Sequence, residues 1–248
     1  MVKYKKRMLL LAVFVGSAII VLISLAERKS SIDDKVVYYI ADSKLQDVEF
    51  YWKDSRGNII RSIQNLKAMV SRDDKDLIFA MNGGMFRSDN SPQGLYINQF
   101  ETITPLDTLS AEGNFYLKPN GVFYITADNI AAICKTEDFV DYSRVKFATQ
   151  SGPMLVVDGE IHPDFKEGSS NLHIRNGVGI LSDGRILFAM SKSVVNLYDF
   201  ALYFQSYGCE NALYLDGYVS RSYIPEKKWM QTDGDFGVII GITTRRNE

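Results

Sequence analysis

The chain has 248 residues, 46% of them hydrophobic, and a formal net charge of −2. That length suits one large domain or two small ones, and we read one; the slightly acidic balance excludes a global nucleic-acid-binding surface, which needs a basic footprint. Two cysteines, Cys134 and Cys209, with no CxxC spacing and only His162 and His173 to join them, disfavour a structural zinc site.

The N-terminus stands apart. Lys3, Lys5, Lys6 and Arg7 precede Met8 to Ala26, a run without a charged residue that, as a helix, just spans a hydrocarbon core of about 30 Å. The flanking charge puts Met1 in the cytoplasm and the remainder across the membrane. Ser24-Leu25-Ala26 also offers small residues at the spacing of a signal-peptidase site, yet the run exceeds the roughly 7 to 15 residues of a cleavable segment. The reading is therefore a transmembrane signal-anchor with the domain on the periplasmic or extracellular side, or a secreted protein if cleaved after Ala26. The chain then divides into a basic tip and anchor (1–26), a polar stalk (27–35) and one domain (36–248). The two thiols either pair in that compartment or stay buried, and both options remain open.

In chain order, Val36 to Ile40 and Val48 to Trp52 read as β-branched and aromatic strands. Asn58 to Val70 carries Ile59, Ile63, Leu66 and Val70 at helical spacing. Leu77 to Met81 is a short apolar strand delivering Asn82 to its end. Three hairpin signals follow, at Pro119-Asn120-Gly121, Asp158-Gly159 and Asp183-Gly184. Asn196 to Tyr207 is the clearest helix, with Leu197, Phe200, Ala201 and Phe204 on one face, an Asn196 cap and Gly208 just past its end. Asn211 to Leu215 is an apolar strand projecting Asp216, and Val238 to Thr243 closes the chain. The expected class is α+β: a mixed, largely antiparallel sheet packed by two main helices and preceded by the N-terminal transmembrane helix.

Several strand-like runs adjoin a small polar-plus-glycine cluster: Asn82-Gly83-Gly84, Gln150-Ser151-Gly152-Pro153, Arg175-Asn176-Gly177 and Asp216-Gly217. Glycine lets a ligand approach the backbone. Amide, guanidinium and carboxylate beside it suit a polar or anionic ligand that is to be cleaved. Each cluster taken alone is more readily a turn than a site. Asp216, leaving a buried strand, is tunable for acid, base or nucleophile work.

The order and spacing of NGGMF (82–86), QSGPMLVVDGEI (150–161), RNGVGILSDGRILFAMS (175–191) and DFALYFQSYGCENALYLDG (199–217) resemble the phosphodiester glycosidase domain family. The resemblance covers roughly Val36 to Thr244. It implies an α+β fold and hydrolysis of a sugar joined through its anomeric carbon to a phosphodiester. No cofactor and no metal are expected; Asp and Asn could ligate a hard cation through oxygen, but the sequence shows no ligand run. Carried over, it gathers Asn82, Gly83, Gly84, Ser151, Gly152, Arg175, Asn176, Asp216, Gly217 and Ser220 around one pocket. Asp216 is then acid/base or nucleophile, Arg175 the phosphate clamp, and Asn82 with the two glycines orienting donors; Gly83, Gly84, Ser151, Gly152, Asn176, Gly217 and Ser220 bind substrate. Where many members read LDGGGS, this chain has Tyr218 and Val219 in place of two glycines. That departure keeps a second reading in view, a non-catalytic envelope module binding a phosphorylated glycan or a protein partner. His162 and His173 flank a Gly/Ser-rich loop and read as surface or turn residues rather than proton shuttles.

Overall fold

The computed structural model describes residues 34–217 and 219–246. The chain divides into two units, Met1–Lys35 and Val36–Glu248; of the first, only Asp34 and Lys35 are described.

The second unit is built from three sheets, and among the described residues every strand pairing is antiparallel. The first sheet runs β1 (Val36–Ala41), β12 (Ile186–Ser191), β11 (Asn176–Ile180), β13 (Asn211–Asp216), β9 (Met154–Val157), β10 (Glu160–Ile161). The second runs β15 (Trp229–Met230), β14 (Ser222–Ile224), β3 (Lys75–Asn82), β16 (Ile239–Arg245), β2 (Asp47–Tyr51). The third runs β5 (Glu101–Thr104), β4 (Tyr96–Asn98), β8 (Val145–Ser151), β6 (Gly121–Thr126), β7 (Ala131–Lys135).

The sheets bury their inner faces against one another. Aromatic rings from all three make a continuous chain: Tyr39 on Phe79 (4.8 Å between centroids), Phe79 on Phe188 (4.8 Å), Phe188 on Phe123 (6.0 Å), Phe123 on Phe50 (5.5 Å) and Phe50 on Phe147 (5.5 Å). Such contacts add to the apolar burial that drives folding.

This corrects the expected class. The sheets are not mixed, and the core is three sheets packed on one another rather than one sheet packed by two helices. Large rings on alternate strand positions fill the interior sheet to sheet and leave the helices to cover outer surfaces. Helix α1 (Ile63–Arg72) lays Ile63, Leu66 and Val70 on a separate apolar cluster with Leu77, Ala80 and Ile239. It begins five residues later than its periodicity suggested, because Ser62 is the cap and accepts from Asn65 N. Helix α2 (Leu197–Ser206) presses Phe200 and Phe204 onto the first sheet, where Gly177 and Gly179 leave room for them. Among the described residues no helix is long and apolar enough to cross a membrane, and the expected span at 8–26 lies outside them.

The Asp158-Gly159 and Asp183-Gly184 hairpins form as expected between β9 and β10 and between β11 and β12. The one expected at Pro119-Asn120-Gly121 does not. A 3-10 turn (Asn114–Tyr116) and a cis Lys118-Pro119 bond precede β6, which pairs with β7 and β8 instead.

Candidate functional site

Asn82 ends β3, Asn176 begins β11 and Asp216 ends β13, so the second sheet meets the first at these three residues. The Asn176 amide donates from Nδ2 to Asn82 O (2.9 Å) and Asn82 Oδ1 (3.1 Å), while its own Oδ1 accepts from Asp216 N (2.9 Å). Asn82 Oδ1 also accepts from Arg221 N (2.9 Å). Ser220 Oγ donates to Asp216 O (2.7 Å), and Ser151 Oγ, at the end of β8, donates to Leu215 O (2.7 Å). The β11/β13 register shifts between Asn176 and Gly177, a bulge of the kind that re-aims a side chain at a strand end. All three key residues are buried, Asp216 at 7% exposure. Within this network Asn82 Nδ2 has no partner among the described residues.

Arg175 sits beneath this network and is fully buried. Its Nε donates to Val195 O (2.8 Å), Nη1 to Tyr214 Oη (3.1 Å), and Nη2 to Asn171 O (2.9 Å) and Asn171 Oδ1 (3.0 Å). Four of its five N–H groups are therefore committed to protein acceptors. Burial pulls its pKa down, and Tyr214 works against that. A phosphate clamp presents free donors; this guanidinium instead ties the loops at 171 and 195 to β13, so the expected clamp role does not match its bonding.

Tyr214 was not anticipated. It lies two residues before Asp216 on β13, across the bulge, and pairs with Gly177 while Asp216 pairs with Asn176. Burial pushes its phenol up to about 12, with Arg175 opposing and Asp216 reinforcing the shift. Its hydroxyl explains a glycine: a Cβ on Gly217 would lie 1.5 Å from Tyr214 Oη. Arg221 was also missed, and no local signal marks it, because its place beside Asn82 follows from β14 pairing with β3.

The other candidates serve as framework. Gly83 N donates to Val238 O (2.8 Å). A Cβ on Gly84 would meet Thr149 Oγ1 at 2.5 Å and Gln150 O at 2.6 Å, so glycine there permits close packing on β8. Gly152 packs against Asn120 and Phe115 O, away from the network. Tyr218 lies outside the described residues, and Val219 packs on the α1 cluster. His162 is buried; its Nδ1 accepts from Asp164 N (3.2 Å), which leaves Nε2 to donate to Lys118 O (3.1 Å), while His173 is exposed. Cys134 and Cys209 are free thiols, pushed by burial up to about 11 and about 12. Among the described residues no cluster of His, Cys, Asp or Glu is arranged to hold a metal. A cleft of about 490 Å³ lined in part by Lys118, Asn120, Lys135 and Glu137 contains none of the candidate residues.

The family model described as phosphodiester glycosidase matches residues 75–238, a span that contains every residue of this network. The uncharacterized protein YigE of Escherichia coli (strain K12) is 33% identical over 216 residues, covering 86% of this chain and 84% of that one. Among solved structures, the zebrafish N-acetylglucosamine-1-phosphodiester alpha-N-acetylglucosaminidase catalytic domain, auto-inhibited by its pro-peptide, aligns with a TM-score of 0.58 at 14% identity, over 85% of this chain and 83% of that one. A putative exported protein from Burkholderia pseudomallei K96243 aligns with a TM-score of 0.56 at 11% identity, over 84% and 73%. Both share the fold.

Proposed function

The chain belongs to the phosphodiester glycosidase family, whose members are glycosidases acting on phosphodiester-linked sugars, and from that membership we propose that it hydrolyses a glycosyl-1-phosphodiester outside the cytoplasm. Water adds across the bond between the anomeric carbon and the phosphate oxygen, giving a free sugar and a phosphomonoester. The observation that carries this reading is Asp216: a buried carboxylate at a strand end, its backbone N–H locked by Asn176, beside an Asn82 amide with an unused donor.

Glycosidic cleavage needs a carboxylate that stabilises an oxocarbenium-like centre or activates water. Asp216 takes that part. A phosphodiester is already a good leaving group, so proton donation matters less than holding its charge. Asn82 orients the substrate through Nδ2, Gly84 supports the close packing of that turn, and Arg175 positions Asp216 through Tyr214 and β13 rather than touching substrate. The basic residues before Met8 and the uncharged run behind them support the extracytoplasmic address.

The test is direct. The purified domain, given a glycosyl-1-phosphodiester, should release reducing sugar and phosphomonoester in equal amounts. Binding without release would favour the non-catalytic module that Tyr218 and Val219, in place of two family glycines, suggest.

A further inference from the structure

The bonding of Arg175 leaves open which group would recognise the phosphate, and the register of β14 on β3 points to one. Ser222 pairs with Met81 and Tyr223 with Ala80. One step further along this antiparallel ladder, Arg221 faces Asn82. One backbone bond continues the ladder, Asn82 N donating to Arg221 O (3.4 Å), while Arg221 N turns to the Asn82 side chain and donates to its Oδ1 (2.9 Å). Directly opposed residues of an antiparallel pair project from the same face, with Cβ atoms about 4.5–5.5 Å apart. The Asn82 amide therefore lies against the backbone from which the Arg221 side chain starts.

Both carry unused donors. Asn82 Oδ1 is occupied by Arg221 N and Asn176 Nδ2, which turns Nδ2 away from them, and this buried donor has no acceptor among the described residues. A buried donor left unmatched is destabilising, so its persistence asks for a ligand acceptor. Arg221 donates from Nε to both carboxylate oxygens of Asp233 (2.9 Å each) and from Nη1 to Ser220 O (3.0 Å). Three of its five N–H groups thus lack a protein acceptor among the described residues. Its side chain is 34% exposed and that of Asp233 64%. Arg221 is tethered through Ser220 to Asp216, since Ser220 O takes its Nη1 bond and Ser220 Oγ donates to Asp216 O. A fixed guanidinium fork beside a spare amide matches two oxygens of a phosphate.

We propose that Arg221 and the Asn82 amide form the corner that holds the phosphate of the substrate, with Asp233 keeping the guanidinium in place until that anion shares it. Arg221 is then a specificity-determining residue for phosphodiester over neutral glycosides. The inference rests on the reaction class proposed above, but the corner itself can be tested without turnover.

The probe is dimethyl phosphate, a diester anion without a sugar, titrated into isotope-labelled full-length protein while the Asn82 side-chain amide and the Arg221 Nε–H are followed by NMR. Both signals should move saturably. Arg221→Gln should weaken binding by about tenfold or more, Arg221→Lys should recover only part of it, because an ammonium lacks the fork, and Asp233→Asn should tighten it by removing a competing carboxylate. The solvent-facing Arg221–Asp233 pair contributes little to stability, so the Arg221 variants should melt close to wild type. Absence of any shift in wild type, or equal affinity in wild type and Arg221→Gln, overturns the corner. Sugar release whose KM for the diester is unchanged by Arg221→Gln also overturns it, while leaving the hydrolase reading intact. Dimethyl phosphate bound at Arg221 with no sugar ever released supports the corner and removes the hydrolase.

Discussion

The side-chain amide of Asn176 donates to both the carbonyl and the side-chain oxygen of Asn82, at 2.9 and 3.1 Å, and so joins the end of a strand in one sheet to the start of a strand in another. With Asn176 Oδ1 holding Asp216 N, one buried amide sets the relative position of the three residues on which the proposed chemistry depends.

Asn176→Ala should therefore remove support from Asn82 and Asp216 at once. Leaving Asn82 O and Asp216 N without partners in a buried site should lower stability by about 3 kcal/mol, measured by urea unfolding. A loss under about 1 kcal/mol would mean that water replaces the amide and that the joint is not rigid.

Gly217→Ala should be disruptive for a different reason, since its Cβ would meet Tyr214 Oη at 1.5 Å. Tyr214→Phe removes that oxygen, so the double variant should recover part of the melting temperature lost by Gly217→Ala. Additive losses in the double variant would show that the two positions do not collide in solution.

Asp216→Asn preserves size and most hydrogen bonding. The domain should stay folded, with ligand affinity within about tenfold, or ~1.4 kcal/mol, while sugar release falls by several orders of magnitude. If release continues, Asp216 is a turn residue and the carboxylate is elsewhere.

Arg175→Lys should behave as a framework change. A single ammonium cannot serve acceptors on Val195, Asn171 and Tyr214 together, so stability should fall by at least ~2 kcal/mol. Affinity for a diester and for the matching neutral sugar should fall in parallel. A selective loss of the diester would restore the clamp role first expected from the sequence.

His162 makes stability pH-dependent. Burial lowers its pKa below the ordinary value of 6.5, so near that pH the unfolded chain binds the proton more readily than the folded one. Its contribution is complete above pH 6.5 and is lost as pH falls toward the depressed folded value. Wild type should accordingly lose more melting temperature between neutral pH and about pH 5 than His162→Gln does. Parallel curves would show that the ring titrates normally.

Local chemistry made part of the fold legible. The α2 boundaries follow from the Asn196 cap, where Oδ1 accepts from Asp199 N (2.8 Å), and from Gly208 at a φ of 77°. The Asp158-Gly159 turn needs positive φ at both residues, 51° and 84°, and sequence reports that need directly. Pro119-Asn120-Gly121 carries a similar signature but becomes the entry to β6, because the partners of β6 come from later in the chain. The α+β reading failed at the same level. Periodicity finds helices, but it does not say that the aromatic faces of three sheets prefer one another to those helices.

The candidate site divides in the same way. Sequence alone determined that Asn82, Asn176 and Asp216 sit at element ends beside glycines, because those are properties of a few adjacent residues. Only the tertiary structure decided that Arg175 turns inward to loop carbonyls, that Tyr214 requires Gly217, and that Arg221 stands opposite Asn82. Each of these depends on pairing between strands far apart in the chain, where register and burial decide which donors remain free.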